Sequence, residues 1–274
     1  MTEYLYYLAC IAPSLRKGSY IMKISRLNAI EEYVLTNRTV GIDELCQVFQ
    51  VSKNTIRRDL SELENRGRIT KVYGGVTAVI QDDVTPLPIR SSINPDGKEH
   101  IGALAAQLVS DGDSIFIDSG STAVCLLRHL TERRNVTVIT HSLTAMIEAA
   151  KYENLRLISL GGQYQSSTSS FVGISALSSL SDIRINKAFM GATGVTIETG
   201  MSNTTFLEAE IKRTVVSHSS HIVLLADHTK LGREATISFC RLQSLYALVT
   251  DQALPEKFSD FFQAHSILVR YPEK

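Results

Sequence analysis

The sequence holds no apolar run of the roughly 18 to 20 residues that a membrane helix needs, which excludes a membrane-spanning helix. Net charge is also missing, since 28 lysines and arginines balance 28 acidic residues and the pI is about 7.1. That balance excludes a general nucleic-acid coat and directs attention to any local basic stretch on an otherwise ordinary globule. Cysteine is sparse. Cys10, Cys46, Cys125 and Cys240 lie far apart, neither a Cys-x-x-Cys nor a His-Glu-x-x-His pattern occurs, and the four read as reduced, mostly buried thiols of a cytoplasmic protein. His218 and His221 are three apart at the start of a strand, where odd spacing sends side chains to opposite faces. Neither a metal nor a cofactor is therefore expected. Internal repeats and low-complexity tracts are absent too, and 274 residues are comfortable for two domains with proper cores.

What the chain does have is a basic stretch at residues 52–75, and the rest is organised around it. Ser52 is a good N-cap and Gly67 a good stop, and between them Ile56, Leu60 and Leu63 recur at the i, i+4, i+7 spacing of one buried helical stripe. At about 100° per residue, Asn54, Arg58 and Ser61 point away from that stripe, with Arg57 on the shoulder. Arginine can bond guanine bidentately, asparagine can do the same for adenine, and a helix fits the major groove. Before this helix, Leu27, Ile30 and Val34 mark a first helix, residues 40–42 an extended link, and Leu45, Val48 and Phe49 a second helix. After it, Arg68 and Lys71 alternate with Ile69 and Val72, which suits a short wing strand beside the phosphate backbone. Residues 52–73 carry six basic residues (Lys53, Arg57, Arg58, Arg66, Arg68, Lys71) against three acidic ones, so the local balance is positive.

In order and spacing, residues 52–63 together with Tyr73, Gly74 and Gly75 closely resemble the DNA-binding domain of the DeoR family of bacterial sugar-catabolism repressors. The resemblance implies a winged helix-turn-helix on double-stranded operator DNA. Its recognition-helix positions fall on Asn54, Thr55, Arg57 and Arg58, and the wider DNA-binding set is Ser52, Lys53, Ser61, Arg68 and Lys71. It begins only near Met22. Residues 1–21 have an apolar stretch but no signal-peptide pattern, so the expectation is that the natural start is Met22, with a genuine short extension as the alternative.

The expected organisation is a winged helix-turn-helix at 22–78, a linker at 79–98 and an effector domain at 99–274. The linker reading rests on Asp82, Asp83, three of the six prolines, and the turn signal Asn94, Pro95, Asp96, Gly97. From Glu99 onward, helix-length segments alternate with short apolar strands at 114–117, 136–139, 155–160, 187–190, 222–225 and 246–249, as expected for a parallel sheet covered on both faces. The fold class is therefore α/β, and open sheets of this kind bind ligands beyond the carboxyl ends of their strands.

The loops at those ends are hydroxyl- and glycine-rich. Asp118, Ser119, Gly120, Ser121 and Thr122 join a strand to a helix, an arrangement that presents N–H groups, hydroxyls and the positive helix end to an anion such as phosphate. The same turn also suits a purely structural helix cap. Thr140-His141-Ser142 and Gly161-Gly162 follow the next two strands, and Lys230 lies in a later polar loop where it can act as a point charge. Glu208 and Lys212 are spaced for an i, i+4 pair on one helix. These segments, with residues 170–173, 187–192, 208–213 and 226–232, are similar to the DeoR effector domain, which itself resembles ribose-5-phosphate isomerase. The similarity implies a phosphorylated sugar or sugar derivative held by residues 118–122 with Lys230 opposite. A homo-oligomer, dimer or tetramer, is expected because one winged domain alone makes a small interface with DNA, and no membrane association is expected.

Three departures from the family pattern cluster here: His141 where an asparagine is usual, Tyr164-Gln165-Ser166-Ser167 where an arginine often follows the double glycine, and Thr193 in place of an acid. His141 can bond a ligand hydroxyl or serve as a structural hydrogen-bonding residue. A sugar-phosphate isomerase is the competing reading, weakened by a DNA-binding domain it does not need and by the acid missing at Thr193.

Overall fold

The computed structural model describes residues 26, 27, 29–31, 33, 34, 37, 39–65, 69–78 and 86–272. Two compact units emerge, residues 1–83 and residues 84–274.

In the first unit Leu27, Ile30 and Val34 are helical and fully buried. Strand β1 (Thr39–Gly41) leads into helix α1 (Ile42–Phe49), which ends at Gln50 in the left-handed region with φ 53°. Helix α2 (Lys53–Asn65) follows at once. The Thr55 N–H donates to Ser52 Oγ at 3.3 Å, so Ser52 caps the helix. Ile56, Leu60 and Leu63 bury the inner stripe of α2 against Leu45, Val40, Ile69 and Val76 in a single apolar core. One charge enters that core's edge: Asp59 is buried, and Arg26 Nε donates to its Oδ2 at 2.7 Å.

The wing is longer than the sequence suggests. Strand β2 (Ile69–Val72) turns at Tyr73 and Gly74 into β3 (Gly75–Ala78), which pairs antiparallel with both β2 and β1. Gly74 sits at φ +80°, a conformation that only glycine adopts freely, and so supplies the hairpin turn. Residues 1–25, Arg66, Gly67, Arg68 and residues 79–85 lie outside the described residues; with them go the question of Met1 or Met22, the Gly67 stop and much of the linker reading. The rest of residues 79–98 carries helix α3 (Leu87–Ser92) and the start of α4 (Pro95–Ala106), both in the second unit.

The second unit continues as β4 (Ser114–Ile117), α5 (Ser121–Cys125), β5 (Val136–Thr140), α6 (Leu143–Ala149), β6 (Leu155–Ser159), β7 (Gln163–Gln165), β8 (Ser170–Val172), α7 (Ile174–Leu180), β9 (Ile185–Met190), β10 (Gly194–Thr196), β11 (Gly200–Asn203), α8 (Phe206–His218), β12 (Ser219–Leu225), β13 (Ile237–Cys240), β14 (Ala247–Val249), α9 (Glu256–Ala264) and β15 (Leu268–Arg270). Seven of these strands form one all-parallel sheet in the order β15-β14-β12-β9-β4-β5-β6. The two-residue repeat of a strand divides its side chains between two cores. Phe116, Ile139, Ala188, Met190, Ile222, Leu224 and Leu248 face one layer. Ile115, Ile117, Val138, Phe189, Val223, Leu225, Ala247 and Val249 face the other.

The winding places the crevice. The chain enters the sheet at β4, moves outward through β5 and β6, then returns to lay β9 on the opposite side of β4. Winding reverses between β4 and β9, and beyond the carboxyl ends of two such strands an open sheet leaves room for a ligand. Asp118 follows β4 and Gly191 follows β9. Around this crevice stand two antiparallel additions, the hairpin β7-β8 and the three-stranded sheet β10-β11-β13.

Candidate functional site

The outer face of α2 is the first candidate surface. Asn54, Arg57 and Arg58 are exposed and Thr55 is half-buried. Lys53 and Lys71 are not free cations: Lys53 pairs with Asp43 and Lys71 with Glu64, each at 2.5 Å. The Lys71 ammonium also donates to Ser61 Oγ at 3.1 Å, while the Ser61 hydroxyl donates to the Arg57 carbonyl at 2.9 Å. Ser61 and Lys71, expected to meet bases and phosphates, thus tie the wing to the helix. Such exposed pairs are weak and open to competition from DNA phosphates. At the wing tip Tyr73 is fully exposed.

The second candidate site lies at the crevice of the sheet. Asp118 is completely buried; its Oδ2 accepts from the Lys212 ammonium at 2.8 Å and from the Gly191 N–H at 2.9 Å. Burial pushes the Asp118 carboxyl up, but the charge of Lys212 and the imidazole of His141 outweigh it and hold the group well below the usual carboxylate range. Lys212 donates also to the Gly191 carbonyl at 2.8 Å, and its ammonium sits 5.0 Å from the centre of the Phe239 ring. A Cβ at Gly191 would stand 3.2 Å from Asp118 Oδ2 and press on this bond.

Glu208 does not pair with Lys212, although their spacing on α8 suggests it. Its carboxylate accepts from Ser119 Oγ at 3.1 Å, Asn203 Nδ2 at 2.8 Å and Thr205 Oγ1 at 3.2 Å, which leaves Lys212 for Asp118. Two carboxylates of unlike partners therefore anchor the loop at residues 118–122, one from each side. Thr193, standing where an acid was expected, donates its hydroxyl to Asn203 Oδ1 at 3.1 Å and so braces Asn203 against Glu208.

Hydroxyls cap two neighbouring helices but not α5. Ser142 accepts from the Ala145 N–H and Thr205 from the Glu208 N–H, whereas the cap of α5 is Gly120, which has no side chain to offer, and the Ser119 hydroxyl before it donates to Glu208. Among the described residues, five buried side-chain atoms have no hydrogen-bond partner: Arg90 Nε and Nη2, Asp118 Oδ1, His141 Nε2 and Gln165 Oε1. His141 Nε2 approaches Asp118 Oδ1 only to 3.6 Å, too far for a bond, while its Nδ1 lies 3.1 Å from the Phe171 carbonyl. Unpartnered buried polar atoms are uncommon and costly.

Lysines lie nearby. Lys98 is buried and donates to the carbonyls of Arg90, at 2.8 Å, and Ile93. Burial lowers the basicity of both Lys98 and Lys230; Asp227 opposes the effect on each, and the charge of Arg90 adds to it. A cavity of about 730 Å³ reaches this region at Lys98 and Ser121 and is otherwise walled by Leu87, Val124, Arg128, Ile147 and other residues of α3, α4, α5 and α6. Asp118, Glu208, Lys212 and Lys230 do not line it. Gly161 is exposed, and Gly162, at φ +141°, lets the backbone pass close to Val172. Among the described residues no cluster of three or more His, Cys, Asp or Glu side chains is placed to hold a metal ion.

Residues 26–82 match the DeoR-like helix-turn-helix domain and residues 93–252 the DeoR C terminal sensor domain. The chain belongs to the DeoR family. Its relatives include the HTH-type transcriptional regulator IolR of Bacillus subtilis strain 168, 40% identical over 90% of this chain and 98% of that protein. The HTH-type transcriptional regulator GolR of Listeria innocua is 34% identical over 86% and 94%, and the glycerol-3-phosphate regulon repressor of Escherichia coli K12 is 28% identical over 88% and 96%. Among solved structures, ribose 5-phosphate isomerase A of Methanocaldococcus jannaschii is 26% identical over 50% of this chain and 55% of that one, with a TM-score of 0.38. By family this chain is a DNA-binding transcriptional regulator with a sensor domain, not an enzyme.

Sequence reasoning missed Arg90, Lys98, the unpartnered Oε1 of Gln165, and Asn203. Arg90 and Lys98 fell in the supposed linker. Asn203 carried no local signal, since its role depends on β11 delivering it to Glu208.

Proposed function

We propose that this DeoR-family protein is a cytoplasmic repressor of a carbohydrate-utilisation operon. It binds double-stranded operator DNA as a homo-oligomer, dimer or tetramer, and a phosphorylated sugar or polyol in the sheet crevice sets its affinity. Two recognition helices on adjacent half-sites supply the area and avidity that one small winged domain lacks. Asn54, Thr55, Arg57 and Arg58 read the operator and Lys53, Arg68 and Lys71 meet its backbone. In the second unit the phosphate sits at residues 118–122 with Lys98 and Lys230, and ligand hydroxyls bond the Asp118, His141 and Gln165 atoms.

The observation that carries this reading is the pair of unpartnered buried polar atoms, Asp118 Oδ1 and His141 Nε2, just beyond the carboxyl ends of β4 and β5. The names of relatives support it, among them the glycerol-3-phosphate regulon repressor and the lactose phosphotransferase system repressor of Staphylococcus aureus. Thermal-shift measurements with ribose 5-phosphate, fructose 6-phosphate, glucose 6-phosphate and glycerol 3-phosphate test it. A ligand at 100 times its dissociation constant stabilises by about 2.7 kcal/mol. If no phosphorylated compound shifts the protein, or Lys230→Ala keeps the full response, the site is wrongly assigned.

The ligand is held without turnover. Proton transfer along a sugar needs a base within reach of the substrate carbon, and Thr193 offers only a hydroxyl already bonded to Asn203. An isomerase assay with deuterium exchange should show no exchange above solvent background.

A further inference from the structure

We infer that Arg90 is both an anchor for the ligand in the crevice and the residue through which occupancy is passed to the segment leading to the DNA-binding unit. The inference rests on the crevice being the effector site. Arg90 lies on α3, the first described helix after the interdomain segment, and its backbone carbonyl accepts from the buried Lys98. Its guanidinium nitrogens Nε and Nη2 are buried with no hydrogen-bond partner among the described residues.

Burial lowers the basicity of the guanidinium, and the charges of Glu208 and Asp118 oppose that effect. Neither carboxylate bonds it, although Asp118 Oδ1 is itself unpartnered. Glu208 is taken by Ser119, Asn203 and Thr205, and Asp118 Oδ2 by Lys212 and Gly191. Arginine is thus drawn toward the crevice by charge and left without bonds there. A planar guanidinium with free donors matches the paired oxygens of a phosphate or carboxylate, and forks of this kind fix geometry as well as adding affinity.

Coupling follows from where α3 is tied. The Leu87 N–H donates to the Ser167 carbonyl in the turn of the β7-β8 hairpin, the hairpin that carries Gln165 and whose Phe171 carbonyl meets His141. A ligand oxygen seated on Arg90 therefore draws α3, the hairpin turn and the crevice into one bonded unit. Without the ligand the connection at Arg90 is unmade. A ligand shifts an equilibrium only by binding one state better than the other, and the Arg90 fork is a contact available to the occupied state alone.

The test uses the full chain and three variants, Arg90→Lys, Arg90→Met and Lys230→Ala. Calorimetric titration uses whichever of the four phosphorylated compounds above binds best, with inorganic phosphate alongside. Arg90→Lys should weaken that compound about tenfold and Arg90→Met about a hundredfold, as loss of one or two charge-assisted bonds implies. Both Arg90 variants should also lose the response of operator affinity to the compound. Melting of the ligand-free proteins separates this idea from the one beneath it. A half-buried guanidinium whose Nε and Nη2 make no bond does little to hold the fold together, so Arg90→Met should melt at or above the wild-type temperature. Wild-type affinity in the Arg90 variants, or a ligand-free melting point several degrees lower in Arg90→Met, overturns the inference. A wild-type chain that binds none of the compounds refutes the effector site itself, and with it this role for Arg90.

Discussion

The two units handle charge in opposite ways. In the DNA-binding unit, apart from Arg26 on the buried Asp59, the cations described stand outside: Arg57 and Arg58 are exposed, and Lys53 and Lys71 pair with acids nearer the surface. In the sensor unit Lys98, Lys212, Asp118 and Glu208 are all buried, and each carboxylate is held by named donors. The contrast follows the partner. A polyanion meets an open surface, where exposed cations give affinity that falls with salt and sacrifice little when unbound. One small anion has to be enclosed, so its cations lose water beforehand and the fold has to hold them in place.

The largest effect that sharpens this comparison is at Lys212. Lys212→Met strands the buried Asp118 carboxylate and should destabilise the chain by about 3 to 5 kcal/mol in denaturant unfolding. The double variant Asp118→Asn/Lys212→Met should recover much of that loss, because no charge is then left unpaired. An additive double variant would mean that the pair is not one unit.

Next comes Arg58→Ala, which should leave folding untouched and cost about 1 to 3 kcal/mol on the true operator while relaxing its specificity. Parallel titrations on specific and scrambled duplexes measure both quantities; equal affinity of variant and wild type for the operator would remove Arg58 from the reading set.

A pH series probes the sensor unit alone. Burial lowers the basicity of Lys98 and Lys230 below the ordinary lysine value of 10.5. A bound phosphate favours their charged forms, so binding takes up protons, is strongest below the lowered values and weakens as pH rises through them. Above about pH 7.5 the phosphate's own charge is nearly constant, its second pKa being about 6, so the fall belongs to the protein. Calorimetry from pH 7 to about 10 should show ligand affinity declining before an ordinary lysine, near 10.4, begins to lose its proton. A flat profile would mean that neither lysine faces the ligand.

Smallest is Lys71→Ala. Its pair with Glu64 is exposed, so stability should change by less than about 1 kcal/mol. All duplexes should bind somewhat more weakly, with a salt slope lower by about 1. Any selective loss on the operator would instead assign Lys71 a reading role through the wing.

Legibility differed between the two units for a physical reason. The stripe of Ile56, Leu60 and Leu63 and the Ser52 cap are relations among near neighbours in sequence, which helical periodicity displays directly. The β4, β5 and β12 runs were legible because a strand buried on both faces is apolar throughout. The short strands β7, β8, β10, β11 and β15, three or four residues each, leave no such period. In the sensor site Asp118 and residues 119–122 showed themselves as a strand-to-helix turn, but their partners are brought in across long stretches of chain: Lys212 is 94 residues away and Glu208 is 89 from Ser119. The same distance explains why the local Glu208–Lys212 pair was the wrong inference, since tertiary partners outcompeted the helical neighbour. Arg90 was hidden by the prolines around it, which read as linker.

The central claim is that enclosed charge in one unit governs open charge in the other. Its most direct test is the affinity of the full chain for an operator duplex, selected by repeated binding from random sequence, at fixed salt with and without a saturating phosphorylated sugar already shown to bind by thermal shift. Fluorescence anisotropy should show the dissociation constant change by at least about fivefold, the lower end of ordinary coupling between sites. The unphosphorylated sugar should leave it unchanged. An operator affinity that stays the same with the site demonstrably filled would contradict the account.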